Sequence, residues 1–502
     1  MLEHVINETL KFIKSFSKEE RKSKGQFFTS LETAQFMAQL FNFQSFGDEI
    51  SLLDPGAGTG ILTAAFIDEA VQNEHIKKIN VVCYETDPQV LPILKRNLEF
   101  LKENAKIKIE YSIRDIDYLL SQSTNFENSL QMHNENLGDY ETYDAVIGNP
   151  PYLRIMRNSK EALSMPSIVH GAPNMYFLFT AMSIFNLRQW GQLVYIIPRS
   201  WTSGEYFKAF RNYMLANSTI KQIHLFVSRN KVFSQEKVLQ ETIIIKIEKE
   251  IEEKKNIVIS SSQTNNDFDS ISSIVVPYDS VVVGANNYIF LPTSQNEISV
   301  IKAINKYTTT LPDIGYRMRT GIVVDFREKD SLRAEPSSNT VPLFYSQHIR
   351  NGKVLHYPSG KGYDWLSCEK KGLIQPNQNY LFCKRFTAKE EKRRLQCGIY
   401  LAETFPSYKY IGTQNKLNYI NRFDAKPMTK DEIYGLYALL NSTLFDQYYR
   451  ILNGSTQVNS TEINHIPVPG GECIKLLGQS LQEQNDLTTK TCDELLMGVY
   501  DE

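Results

Sequence analysis

Seven short apolar runs in the first half of this 502-residue chain alternate with helix-like segments, and that rhythm leaves few folds open. The runs cover 50–54, 79–85, 106–113, 143–148, 192–198, 220–227 and 241–249. Parallel strands need long crossovers, and the stretches between the runs, such as 60–72 and 89–102, carry a helical period. A parallel sheet covered by helices is the expected architecture. Thr29 and Glu32 have the spacing of a capping box before one helix. Asp87 and Pro88 are placed to cap and start another. The polar stretch 121–142 has no apolar period and reads as a surface loop.

After about residue 250 the rhythm changes. A charged and then Ser/Asn-rich stretch marks a boundary, and strand, turn and helix signals mix beyond it without a βαβ beat. Two domains are expected at this length, one α/β and one α+β. With 42% hydrophobic and 22% charged residues, and no apolar run long enough to cross a bilayer, the composition is that of a soluble globular protein. The N-terminal stretch reads as an amphipathic helix without the apolar core of a signal peptide. Six cysteines lie scattered without a CxxC pair, which argues against a disulfide framework or a zinc site. The cytoplasm is therefore the expected compartment. A net charge of −2 leaves a nucleic-acid partner open, because a local basic face is enough to meet phosphates.

Two strand ends carry chemistry. The first run leads into Asp54-Pro-Gly56-Ala-Gly58-Thr-Gly60, a turn whose glycines let a ligand approach bare backbone. One strand later Glu85 ends a run, where its carboxylate can accept both hydroxyls of a ribose. The pair favours an adenosine ligand at the carboxyl edge of the sheet, although GxGxG is not the dinucleotide fingerprint. The fourth run stops on Asn149, Pro150, Pro151 and Tyr152. Two prolines cannot donate to a ladder, so this is either a stiff surface turn or a corner that holds polar groups still.

DPGAGTG, ETDP and NPPY together resemble the S-adenosylmethionine-dependent amino-methyltransferases. More narrowly, they resemble the N6-adenine DNA methyltransferases of Type II restriction–modification systems, in the gamma motif order. The resemblance implies a Rossmann-like, seven-stranded methyltransferase domain over 1–255 and an α+β target-recognition domain over 270–502. Cofactor contacts are implied for Phe27, Phe28 and Thr29 in "KGQFFTS", for Asp54, Gly56, Gly58, Gly60 and Glu85, and for Asp117 and Tyr118 in "RDIDYLL". Asp115 stays open as the alternative acid.

The implied chemistry explains the corner. The N6 amine of adenine is a poor nucleophile, and acceptors on its N–H bonds favour a pyramidal nitrogen. The Asn149 amide oxygen and the Pro150 carbonyl can be those acceptors, held rigid by Pro150 and Pro151. Tyr152 offers a ring face, and Phe233 is the candidate that packs on the other face of a flipped-out base. Arg154, Arg317, Arg319, Lys384, Arg385 and Arg393 are the candidate DNA contacts, with Lys392 and Arg394 in the same basic run. Double-stranded DNA is the expected partner, beside a separate companion restriction endonuclease whose cleavage the methyl mark blocks. No metal and no membrane is expected.

Three rivals remain. Protein glutamine-N5 methyltransferases use the same corner, but this chain continues for more than two hundred residues after it. An RNA-base methyltransferase faces a similar objection. A DNA-binding module without chemistry would not need Gly56, Gly58, Glu85 and NPPY together.

Overall fold

The computed structural model describes residues 1–14, 29–131, 140–171, 173–226, 241–250, 255–265, 267–388 and 390–500, without the side chains of 499 and 500. The chain divides into two compact units, Met1–Thr293 and Ser294–Glu502.

The first unit is built on a nine-stranded sheet. Its strands are β1 (Glu49–Asp54), β2 (Lys78–Tyr84), β3 (Lys108–Arg114), β4 (Tyr143–Gly148), β5 (Leu187–Pro198), β6 (Thr219–Phe226), β7 (Thr242–Glu248), β8 (Asn256–Ser262) and β9 (Ser272–Pro277). They lie in the order β3-β2-β1-β4-β5-β7-β6-β8-β9. Strands β1 to β5 pair in parallel, and β7 runs antiparallel between β5 and β6. Each expected strand is present, so the α/β, Rossmann-like reading holds for β1 to β7. Chain order reverses between β1 and β4, which opens a crevice at their carboxyl ends.

Helices cover both faces as their sequences require. Ile61–Ala70 and Met175–Asn186 are apolar on nearly all sides and almost wholly buried. Leu91–Asn104 is amphipathic: Leu94, Leu98 and Leu101 enter the core while Lys95, Arg96 and Lys102 face water.

Several local expectations are corrected. The helix Leu31–Gln39 is capped by Ser30, whose hydroxyl accepts from Thr33 N, and Thr29 stands one residue outside it. Asp87 caps a turn through Gln89 N, and the helix begins later, at Leu91. The polar stretch after 120 is helical through Gln131, because Tyr118, Leu119 and Phe126 give it one buried stripe. The domain boundary also moves. Residues 256–277 form β8 and β9 on the edge of the first sheet, so the first unit runs to Thr293, beyond the expected 255. The Ser-rich run of β8 hid a strand, because Ser260 and Ser262 are buried and bonded to the ring nitrogens of His224, at 2.9 and 3.1 Å. Burial pushes that imidazole down to about 4, so it is a neutral hydrogen-bonding partner.

The second unit is α+β. One sheet has six strands, with Tyr316–Thr320, Leu417–Arg422 and Tyr380–Lys384 side by side, and another has five around Thr340–Phe344. The helices Gln295–Ile304, Lys430–Asn441, Thr443–Leu452, Ser460–Asn464, Gly471–Gln484 and Thr489–Tyr500 also belong to it. Lys430–Asn441 and Gly471–Gln484 meet at Gly435 and Gly478, where an added Cβ would strike the backbone of Ile474 or Asp431.

Ending the chain at residue 255 would strip β8 from β6 and leave the paired, largely buried edge of β6 open. A fragment 1–293 is therefore expected to be soluble and to melt cooperatively, and a fragment 1–255 to aggregate. Gel filtration and thermal unfolding of the two fragments check this, and equal behaviour would contradict the boundary.

Candidate active site

At the carboxyl ends of β1, β2 and β4 lies a cavity of about 500 Å³. Thr29, Gly56, Gly58, Glu85, Asp117, Tyr118, Asn149 and Pro151 all line it, so residues spread over more than a hundred positions converge on one space.

The turn after β1 forms its floor. Asp54 is buried at the strand end and accepts a hydrogen bond from Thr63 Oγ1 at 2.9 Å. Gly58 and Gly60 have φ of +53° and +86°, conformations that L side chains rarely adopt. A Cβ on Gly60 would sit 3.1 Å from Leu94 Cδ1, whereas one on Gly58 would meet nothing within 4 Å. Gly58 is thus required by its backbone conformation, beside open space that a ligand can use. Between them Thr59 is held from two sides. Its carbonyl accepts from Asn97 Nδ2 and its hydroxyl bonds to that of Thr9, each at 2.7 Å.

Glu85 ties two turns together. Its carboxylate accepts from Gly58 N at 3.0 Å and from Thr86 N and Asp87 N, both at 2.8 Å. Burial pushes its pKa up, against the pull of these three hydrogen bonds. Burial acts on Asp54 more strongly and lifts it to about 7, with the Glu85 charge adding to the shift.

Ile116, Asp117 and Tyr118, which follow β3, also line the cavity. Asp117 caps the helix Tyr118–Gln131 through Leu120 N (2.9 Å) and lines the cavity, which Asp115 does not. The Tyr118 phenol donates to Asn186 Oδ1 at 2.9 Å, so this side chain offers the cavity its ring.

The Asn-Pro-Pro-Tyr corner follows β4 and brings Asn149 and Pro151 to the lining. Gly148 precedes it because the Tyr195 ring would come within 2.6 Å of a Cβ there. Asn149 Nδ2 donates to Thr29 Oγ1 at 3.2 Å, which commits the nitrogen and orients the amide. Pro150 is buried and Pro151 lines the cavity. Tyr152 is pinned by a 3.0 Å bond from its hydroxyl to Ile196 O of β5, and its ring meets Tyr176 edge-on. Phe27, Phe28 and Phe233 lie outside the described residues.

The basic candidates divide sharply. Arg154 and Arg319 are exposed, Lys384 is half-buried, and Arg317 stacks over Phe423 with 4.6 Å to the ring centroid. Arg393 is tied within the second unit: its guanidinium donates to Leu395 O, Thr489 Oγ1, Leu440 O and Ser442 O. Arg385 likewise donates to Asn415 O, and Arg394 is fully buried on Asn453 and Ser455. These arginines staple loops of the second unit, since a buried guanidinium needs acceptors on every side.

Sequence reasoning missed Met175 and Phe179, which line the cavity from the helix Met175–Asn186. Nothing in that uniformly apolar run distinguishes the residues facing the cavity. Asn97 was missed as well, although a lone amide in the buried stripe of Leu91–Asn104 was a readable signal.

The raised Asp54 pKa carries a pH dependence. Between about pH 4 and 7 the folded state holds a proton here that the unfolded chain has released, so this site costs stability as pH rises through that window. Asp54→Asn keeps an acceptor for Thr63 without the charge. It should gain stability over the wild type from pH 5 to pH 8, by up to a few kcal/mol at about 1.4 kcal/mol per pH unit. Urea unfolding at the two pH values reads this, and a constant difference would refute it.

The family model of the Eco57I restriction-modification methylase matches residues 66–233. The chain is 35% identical to the Type II methyltransferase M.BsuBI of Bacillus subtilis, over 91% of this chain and 89% of that protein. It is 34% identical to the Type II methyltransferase M.PstI of Providencia stuartii over the same shares. M.AccI of Acinetobacter calcoaceticus is 27% identical over 57% of this chain and 48% of its own length. A likeness at this level across nine-tenths of the sequence is a family relation: the chain belongs to the Type II DNA methyltransferases of restriction–modification systems.

Proposed function

We propose that this chain transfers the methyl group of S-adenosylmethionine to N6 of an adenine flipped out of duplex DNA, in the cytoplasm. The mark would protect that DNA from a separate companion endonuclease. The observation that carries the reading is that Glu85 and Asn149, from the ends of β2 and β4, line one cavity of about 500 Å³.

The residues present fit the cofactor. Glu85 lines the cavity with a carboxylate that keeps acceptor capacity for a ribose hydroxyl beside its three backbone bonds, Gly58 leaves open space beside the backbone, and Ile116, Pro88 and Val90 supply apolar surface for a purine next to Asp117. Thr29 lines the cavity beside Asn149. When bound, S-adenosylmethionine supplies an electrophilic methyl group.

The rest belongs to the chain. Asn149 Oδ1 and Pro150 O accept the two N–H bonds of the adenine amine and localise its lone pair. Because the amide is oriented by Thr29 and the prolines are rigid, these dipoles need little reorganisation as charge develops. The proton leaves the methylated nitrogen to solvent, so no strong base is required. Tyr152, pinned through its hydroxyl, gives the base a fixed ring, and Phe233 is the proposed second face. Extruding the base costs roughly a few kcal/mol. Arg154, Arg317, Arg319 and Lys384 are the proposed DNA contacts, and the second unit the proposed reader of the target sequence.

Transfer of label from methyl-labelled S-adenosylmethionine to unmodified duplex DNA should yield N6-methyladenine on nucleoside analysis. Label found only in protein or RNA would sink the proposal. Asn149→Ala should lower kcat by about a hundredfold or more while leaving the cofactor Kd within about twofold. Glu85→Gln should do the reverse, raising that Kd by about tenfold through a lost charge-assisted contact. Calorimetric titration and single-turnover assays separate the two effects.

A further inference from the structure

Beyond the catalytic corner the chain forms a short ribbon. Ile155 N donates to Pro173 O and Met175 N to Leu153 O, both at 2.9 Å, with Arg154 paired antiparallel to Asn174. One side of the ribbon begins two residues after Pro151, and the other runs into Met175 at the start of a buried helix. Both ends are anchored in the lining of the site. Past Ile155 the chain turns, Ser159 N donating to Met156 O at 3.0 Å, and enters the short helix Lys160–Ser164. Met156, in that turn, is 72% exposed, more than any other large apolar side chain among the described residues. Arg154, Arg157 and Lys160 around it are exposed, and among the described residues neither arginine has an ion-pair partner.

An unbranched thioether held out in water, ringed by cations and rooted beside the transfer corner, calls for a partner that is both anionic and apolar within. We propose that Met156 is a wedge that enters the duplex and fills the gap in the base stack left by the flipped base. The inference rests on the function proposed above. Arg154 and Arg157 hold the flanking phosphates, which position the ribbon without reading sequence. Apolar side chains, methionine among them, enter base steps in this way, and the flexible thioether adapts to an irregular hole. A protein partner on the same turn would have no such link to the state of the target base pair.

That link is the test. Met156→Ala changes an exposed turn position and should leave cofactor affinity unchanged. On a matched duplex it should lower kcat/KM by about tenfold, the order expected when an apolar side chain of this size loses its burial. On a duplex whose target adenine is mispaired, and so extruded at less cost, the loss should shrink to under about threefold. Met156→Leu should recover most of the activity, and 2-aminopurine at the target should gain less fluorescence with Met156→Ala than with the wild type. Wild-type rates from Met156→Ala on the matched duplex would overturn the wedge, as would an equal loss on both duplexes. A wild-type enzyme that methylates no duplex at all would remove the underlying function and the wedge with it. An active wild type with an indifferent Met156→Ala removes the wedge alone.

Discussion

Strands β1 and β4 lie side by side and parallel, Leu52 opposite Ala145 and Leu53 opposite Val146, while the chain leaves them toward opposite edges of the sheet. That reversal means no crossover helix fills the space above their carboxyl ends. The glycine turn after β1, Glu85 after β2 and Asn149 after β4 face one cavity because their strands end at the same edge. The parts of the candidate site owe their proximity to this pairing, and a change in strand order would scatter them.

The site is polarised largely by backbone. Glu85 is held by the N–H groups of Gly58, Thr86 and Asp87, and the turn itself is braced where Thr59 meets Asn97 and Thr9. Fixed amides and short hydroxyls of this kind do not swing as long cationic side chains do, so the cavity keeps its shape before a ligand arrives. The same economy governs the corner, where Thr29 orients Asn149 and β5 pins Tyr152.

In the second unit the cations divide by burial. Arg385, Arg393 and Arg394 sit in one basic run that invites a nucleic-acid reading, yet their donors are taken up by carbonyls of Asn415, Ser442 and Asn453. Arg319, on the edge strand Tyr316–Thr320 of the six-stranded sheet, is exposed. A count of basic residues therefore measures little, because a guanidinium serves as structural staple or surface charge according to what folds over it.

Strand positions, the glycine turn and the rigid corner were legible in the sequence because each is encoded within a few consecutive residues. An apolar run specifies a strand, a positive φ requires glycine, and two prolines stiffen whatever precedes them. What only the tertiary structure decided involves partners far apart in the chain. Ser260 and Ser262 extend the sheet because His224 lies beside them, Phe179 lines the cavity while packing on Tyr118, and Arg393 closes on Ser442. A polar residue's role depends on which group fills its hydrogen bonds, and an apolar residue's role on which surface covers it. Neither exists until distant segments have packed, so local pattern named the elements and long-range contact assigned their work.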